Sequence, residues 1–500
     1  MVSKKRKVYN TFSSNYLTIN KGVPILFQLI VTIPLIFQFM GWKEDWWNIK
    51  RNGLLTCSQR WRHYLLQHII PLCWFYFGEP VQSDILMFIR KIRWYNSSLD
   101  KLPHLVEQLS SQVTHIQCSG PMDVSKFSHL ISLEITNDIN FQNLPTSLQQ
   151  LMCRDSKKTY FYNTLTLGSN LTHLTLPLDF DCIVLTLPSS LLYLDLGNTF
   201  NNFLILPKSL TYLNLGDKYD HPLTLPLSLT ELMCGHNFNQ PLSLSFYLQK
   251  LTLGSKYSQQ LFLLDTLQSI KISPNDYNYV FKLSRLPSNL IELHICGKMV
   301  LYDNHLPTTL QSLIIDETNN DATSIHHSIS EQSFLHLPPN LRILSIIRFN
   351  HNLQQILPFT LRELILSGDF NQSIELPPNL RILSLTGKFN QDLGILPSNL
   401  RKLTLGDEFN HPLGMLPEDL DILSIGDAFE HNLEALPFDL QELYLGKSFD
   451  HALDDIPDSL YEVHVNRSVV VQSFFNEKVR LFQRLPYGGW ICYDDPTPNY

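Results

Sequence analysis

Between residues 113 and 465 the apolar positions recur on a fixed step, with leucine favoured at the first, fourth and sixth places of an L-x-x-L-x-L core. From Leu400 to Gly446, a shift of twenty residues superposes Leu400 on Leu420 and Leu440, and Leu403 on Leu423 and Leu443. The same shift brings Gly406 onto Gly426 and Gly446, Phe409 onto Phe429, and Pro417 onto Pro437. Alternation within the core buries every second residue, the mark of a short strand with one face inward. Nineteen or twenty residues hold that strand and two turns but leave no room for a true helix, so the return path is extended or a single helical turn. The proline keeps the chain out of a helix interior, and the glycine after the strand permits a tight bend. One unit is too small to bury its own leucines, so stacked neighbours must close the core between them.

Taking the first apolar residue of each core as its marker, units start at Val113, Leu130, Leu148, Leu171, Leu191, Leu210, Leu229, Leu248 and Leu267, then at Leu290, Leu310, Leu341, Leu361, Leu380, Leu400, Leu420, Leu440 and Leu460. That gives about eighteen units over 105–466, interrupted by a polar insertion at about 316–336 that reads as a surface loop. The predicted fold is a leucine-rich-repeat-like solenoid of short parallel strands, with residues 467–500 as a C-terminal cap. A column of aromatic residues (Phe200, Tyr219, Phe238, Tyr257, Phe349, Phe370, Phe389, Phe409, Phe429, Phe449) is expected to stack along the array as core. The Asn that often follows it, as at Asn371, Asn390 and Asn410, is expected to satisfy turn backbone.

Composition changes the picture in two places. The net charge of -8 argues against broad phosphate-backbone binding, so no nucleic-acid partner is expected. The eight cysteines form no C-x-x-C pair, and Cys118, Cys153, Cys234 and Cys296 fall in or beside strand slots, where they act as small hydrophobes in a reducing compartment. No secretory signal precedes the array. The stretch Val23–Trp42 approaches bilayer-spanning length, but two prolines, two glutamines and a threonine interrupt it, and a membrane anchor is the minor reading. Lys4, Lys5, Arg6 and Lys7 resemble a nuclear import signal in a chain otherwise expected in the cytoplasm.

The repeat "FNQDLGILPSNLRKLTLGDEFNHPLGMLPEDL" resembles the FNIP repeat family, known from social amoebae and giant viruses and related to leucine-rich repeats; for a viral chain the cytoplasm would be the host's. "LPPNLRILSL" is similar to the short leucine-rich repeats of bacterial effectors. The usual asparagine of leucine-rich units, three residues after the last strand leucine, is missing here; that slot holds Glu408 or Ala428. Residues 1–104 lack the repeat and are rich in Trp, Phe and Arg, which predicts a helical N-terminal region. Within it, about 33–74 resembles an F-box, on Ile33-Pro34, "TCSQRWR" (Thr56 to Arg62) and Trp74. That resemblance implies docking on the Skp-type adaptor of cullin ubiquitin ligases through Ile33, Pro34, Phe37, Leu54, Cys57 and Trp61. A helical cap sealing the first repeat is the alternative.

No phosphate-binding loop, zincin motif or hydrolase elbow occurs, so no catalytic residue and no cofactor is assigned. His411, His431 and His451 share one slot, but spacing gives them no acidic or cysteine partner and no metal site is assigned. The third and fifth core positions face away from the leucines and define the target-binding surface: Tyr193, Asp195, Tyr212 and Asn214 in one zone, and Glu442, Tyr444, Glu462 and His464 in another. One position earlier, Arg342, Arg362, Arg381 and Arg401 occupy the same slot in four consecutive units. They either fan into water or meet an acidic segment of a target.

Overall fold

The computed structural model describes residues 74–77, 90–95, 109–119, 124–136, 144–154, 160–272, 281–283, 285–296, 299–301, 306–316, 337–347, 357–433, 435–451, 453, 456–465, 480–484 and 490–492. The F-box-like segment before Trp74, the apolar stretch 23–42, the basic run at Lys4–Lys7 and the insertion after Asp316 lie outside them. The chain divides into two compact units, Met1–Leu229 and Thr230–Tyr500.

The first unit contains β1 (Trp74–Phe77), β2 (Lys91–Tyr95), β3 (His115–Ser119), β4 (Ser132–Ile135), β5 (Gln150–Cys153), β6 (Tyr160–Thr166), β7 (His173–Thr175), β8 (Phe180–Thr186), β9 (Tyr193–Asp195) and β10 (Tyr212–Asn214). Its main sheet runs β1-β2-β3-β4-β5-β7-β9-β10, parallel throughout. Register is slot on slot: Ile116, Leu133, Leu151, Leu174, Leu194 and Leu213 form one line across the sheet. The strand ladder reaches into the region expected to be helical, since β1 and β2 lie before residue 105. Their cores, WFYF and KIRWY, carry aromatic and isoleucine residues where the repeat has leucine, so they pair without showing the motif.

The second unit holds β11 (Glu231–Met233), β12 (Lys250–Leu253), β13 (Ser269–Ile272), β14 (Phe281–Leu283), β15 (Glu292–Cys296), β16 (Met299–Leu301), β17 (Ser312–Asp316), β18 (Ile343–Ile347), β19 (Glu363–Leu366) and β20 (Ile382–Leu385). It continues through β21 (Lys402–Leu405), β22 (Ile422–Ile425), β23 (Glu442–Leu445), β24 (Glu462–Val465), β25 (Arg480–Arg484) and β26 (Trp490–Cys492). All but β14, β16 and β26 stack in parallel in chain order, and β26 returns antiparallel on β25. β17 pairs directly with β18, so the insertion between them leaves the sheet unbroken.

Two short parallel pairs, β6 with β8 and β14 with β16, lie outside the main sheets. Each begins in a longer step of the repeat, Leu148 to Leu171 and Leu267 to Leu290, where the extra residues give the return path length for a strand. The sequence repeat alone did not indicate them.

The described units that carry the proline are built alike. The leucine after the proline turn donates its N–H to the proline carbonyl, as from Leu400 to Pro397 and from Leu420 to Pro417, both at 3.1 Å. The strand then buries its leucines fully, as at Leu400, Leu403 and Leu405. Gly216 leaves the strand with φ +71°, and a Cβ there would lie 1.5 Å from the carbonyl oxygen of Gly197 one unit earlier. Gly426 has no positive φ; it is required because the backbone of Asp407 passes 2.5 Å from where its Cβ would be. Tight stacking therefore adds a second reason for glycine beyond the bend.

The aromatic column is core, as the pattern predicts. Phe389, Phe409, Phe429 and Phe449 are fully buried, and successive centroids are 6.2 Å apart with planes 3–12° from parallel. Strands pair at only about 4.8 Å, so locally each unit is thicker at its phenylalanine than at its strand. Cys118, Cys153 and Cys234 are buried too, and burial, aided by Glu134, pushes the Cys118 thiol up to about 12. Burial also raises the thiols of Cys153 and Cys234, which suits packing and not nucleophilic chemistry.

Deleting Leu400–Asp419, one whole unit, is expected to preserve register and one cooperative melt; deleting ten residues puts a row of leucines into water and unfolds the neighbourhood. Thermal melts of the two deletions check this. Phe409→Ala, in the middle of the ring stack, should cost about 3–5 kcal/mol in chemical denaturation.

Candidate surface for protein recognition

Consecutive units share more than apolar contacts. Asn371 accepts from the backbone N–H of Asn390, Asn390 from that of Asn410, and Asn410 from that of Glu430, at 2.9, 2.9 and 3.1 Å. An asparagine ladder therefore exists, moved from the usual leucine-rich slot to the residue after the phenylalanine. There the side chain of one unit meets the turn N–H of the next. His411, His431 and His451 each place Nε2 2.7–3.2 Å from a backbone carbonyl of the preceding unit. A carbonyl only accepts, so Nε2 carries the proton and donates. Each imidazole also stands against the phenylalanine of its own unit, at 5.7–6.1 Å. The histidine column thus tethers turns, and no group of side chains fit to hold a metal occurs among the described residues.

The third and fifth core positions do face away from the leucines. In the first unit His173, Tyr193 and Tyr212 stand in register on β7, β9 and β10, and their rings stack. Tyr193 and Tyr212 are 4.1 Å apart and 5° from parallel; His173 lies 5.8 Å from Tyr193. His173 extends the zone of Tyr193, Asp195, Tyr212 and Asn214 expected from the sequence. Asp195 and Asn214 have a structural duty as well: their Oδ1 atoms accept from the N–H of Gly197 and Gly216, at 3.0 and 3.2 Å. They close the turn that follows the strand.

In the second unit Glu442, Tyr444, Glu462 and His464 form one hydrogen-bonded cluster. The Tyr444 hydroxyl lies 3.1 Å from Glu442 Oε2 and 3.0 Å from Glu462 Oε1. His464 Nε2 is 2.9 Å from the same Glu462 oxygen, and its ring stacks on Tyr444 at 4.5 Å. Tyr461, absent from the sequence expectation, donates to Glu442 Oε1 at 2.5 Å. Burial first, then the hydrogen bonds to Glu462 and Glu442, push the Tyr444 phenol well above the ordinary tyrosine range. It stays protonated, and its single O–H donates to one or the other of two carboxylates that face each other in register.

The arginine row is not uniform. All four side chains are exposed at the slot where the chain enters the strand. Arg401 Nη1 is 3.3 Å from Asp421 Oδ2, the same slot one unit on. Arg342, Arg362 and Arg381 form no ion pair among the described residues, and they line a groove of about 390 Å³ with Phe359, Thr360, Asn379 and Asn399. A step of twenty puts Asp421 in the slot after Arg401, but the ion pair itself, and the place of Phe359 in the groove, are set by the fold.

The F-box-like residues Ile33, Pro34, Phe37, Leu54, Cys57 and Trp61 lie outside the described residues. Among those residues no helix is long and apolar enough to cross a membrane.

Comparison with known proteins agrees with the architecture. No curated protein matches the sequence. Among solved structures, CroV588, described as a novel circular LRR protein, is similar at 22% identity and TM-score 0.50, over 82% of this chain and 71% of that one. YopM from Yersinia enterocolitica WA-314 is similar at 19% identity and TM-score 0.45, over 78% of this chain and 84% of its own. The first of these likenesses speaks to the fold alone. The FNIP Repeat model matches residues 183–218, 200–237 and 389–428. The chain accordingly matches the FNIP Repeat over those residues, and its parallel-strand solenoid resembles the leucine-rich-repeat fold.

Proposed function

We propose that this chain is a non-catalytic interaction protein, whose strand face holds a target protein and whose N-terminal F-box-like segment holds a Skp-type adaptor. In that role it is the substrate-recognition subunit of a cullin-type ubiquitin ligase, acting in the cytoplasm or, through Lys4–Lys7, the nucleus. It supplies proximity and no bond-making residue. The observation that carries the binding half is the ring ladder of Tyr193 and Tyr212, 4.1 Å apart on paired strands. Rings held on a sheet bury a large area on binding and lose little conformational freedom. The adaptor half rests on the F-box resemblance of about 33–74. The second reading is a scaffold without a ligase link, in which the N-terminal region caps the array; the strands β1 and β2, which continue the sheet ahead of the repeat, support it.

A pull-down with the purified adaptor separates the two. Full-length chain should retain the adaptor, and the Leu54→Ala, Trp61→Ala double variant should lose it while the array's melting transition stays in place. Retention by the double variant favours the cap. For the target, a photo-crosslinking residue at position 212 should capture a protein from cell extract, and the same residue at position 447, on a turn, should not.

A further inference from the structure

We infer that the groove lined by Arg342, Arg362 and Arg381 is a docking site for an acidic, extended peptide segment with an apolar side chain near its carboxylates. This deepens the interaction reading above and rests on it.

Three observations lead there. Arg342, Arg362 and Arg381 are exposed in neighbouring units and have no carboxylate partner among the described residues, although the chain as a whole carries a net charge of -8. Stacking imposes that arrangement: Arg362 donates its backbone N–H to the carbonyl of Arg342, and Arg381 donates to Arg362, at 2.8 and 2.7 Å. The ladder therefore holds their backbones about 5 Å apart and gathers three like charges on one patch, where an anion among them relieves the repulsion.

The next unit of the same column shows what that anion is. Asp421 sits 3.3 Å from Arg401, so one slot of the row already holds a carboxylate supplied by the chain itself. A guanidinium fork matches a carboxylate through two parallel N–H donors.

The third observation is Phe359, 66% exposed at the groove's wall. The Asn379 and Asn399 side chains donate to the carbonyls of Phe359 and Pro378, at 2.8 and 3.2 Å, which fixes the turns around it. An aromatic face beside three cations suits a peptide with an apolar residue among acidic ones.

Geometry limits the occupant. Arg342 to Arg381 spans two strand steps, about 10 Å, and carboxylates two or three residues apart in an extended chain lie about 7–10 Å from each other. A nucleic acid strand needs a longer track of positive charge. This row ends at Gln311 on one side and at Asp421 on the other, both in backbone register with it.

The test is fluorescence anisotropy of full-length chain with three labelled probes. One is a peptide with Glu–Glu pairs on either side of a Phe and Gly–Ser ends; the second has Gln for every Glu; the third is a 20-mer of deoxythymidine. Only the Glu peptide should bind, more weakly as salt rises. The Arg362→Glu, Arg381→Glu double variant should weaken it at least about tenfold. Arg362→Gln, Arg381→Gln guards against a folding defect and should also weaken it. Lys208→Glu, Lys218→Glu, with the same change in net charge on the other compact unit, should leave it unchanged. Equal binding of the Gln peptide, binding that survives both arginine variants at low salt, or tighter binding of the oligonucleotide lost in those variants would each overturn the inference. The assay involves neither the adaptor nor the tyrosine zone, so its failure removes the groove and leaves the scaffold reading to its own tests.

Discussion

In-register stacking is the constraint on which everything else in this protein depends. Each strand donates to and accepts from its neighbours at the same slot, so whatever residue fills a slot in one unit meets its counterpart in the next. A leucine at the fourth core position, such as Leu403, is buried only because Leu383 and Leu423 flank it. No unit has an interior of its own, and stability is a sum over interfaces between neighbours.

The same constraint accounts for the polar columns. A turn that repeats every nineteen or twenty residues exposes the same N–H and C=O groups each time, and a buried edge of such groups would cost dearly unless each were met. Asparagine answers the N–H and histidine answers the C=O, each reaching across one step to the neighbouring unit. The histidines stand beside the phenylalanine stack, and both columns lie at the part-exposed turns of the array. Side chains that look like ligands in a list of residues are, in the stack, cross-braces.

Stacking also sets what the outer face can offer. Columns repeat chemistry at a spacing near 5 Å, so single substitutions become stripes: rings at His173, Tyr193 and Tyr212, a carboxylate–phenol–imidazole cluster around Tyr444, and guanidinium groups from Arg342 to Arg381. Some of these answer their own charge inside the array, as Arg401 does with Asp421 and Glu442 with Tyr444. Others, such as Arg362 and Arg381, stand exposed where the chain enters strands joined by backbone hydrogen bonds.

The sequence by itself determined the repeat, the inward face of each strand, the aromatic core and the outward positions, because a step of nineteen or twenty and a period of two leave each residue one side to face. Strands without the leucine signature, β1, β2, β25 and β26, escaped it, since backbone pairing does not require leucine and their sequences, WFYF, KIRWY, RLFQR and WIC, do not carry the L-x-x-L-x-L spacing. The outer pairs β6–β8 and β14–β16 escaped for a related reason: they follow from spare length in the return path and not from the core pattern. What only tertiary structure decided was which like residues are alike in use. Four arginines share one slot in the sequence, but an aspartate one unit on withdraws Arg401, and a turn carrying Phe359 makes a groove of the other three. Whether a column side chain braces the array or faces a partner depends on what lies within about 3 Å of its polar atoms, and periodicity does not encode that distance.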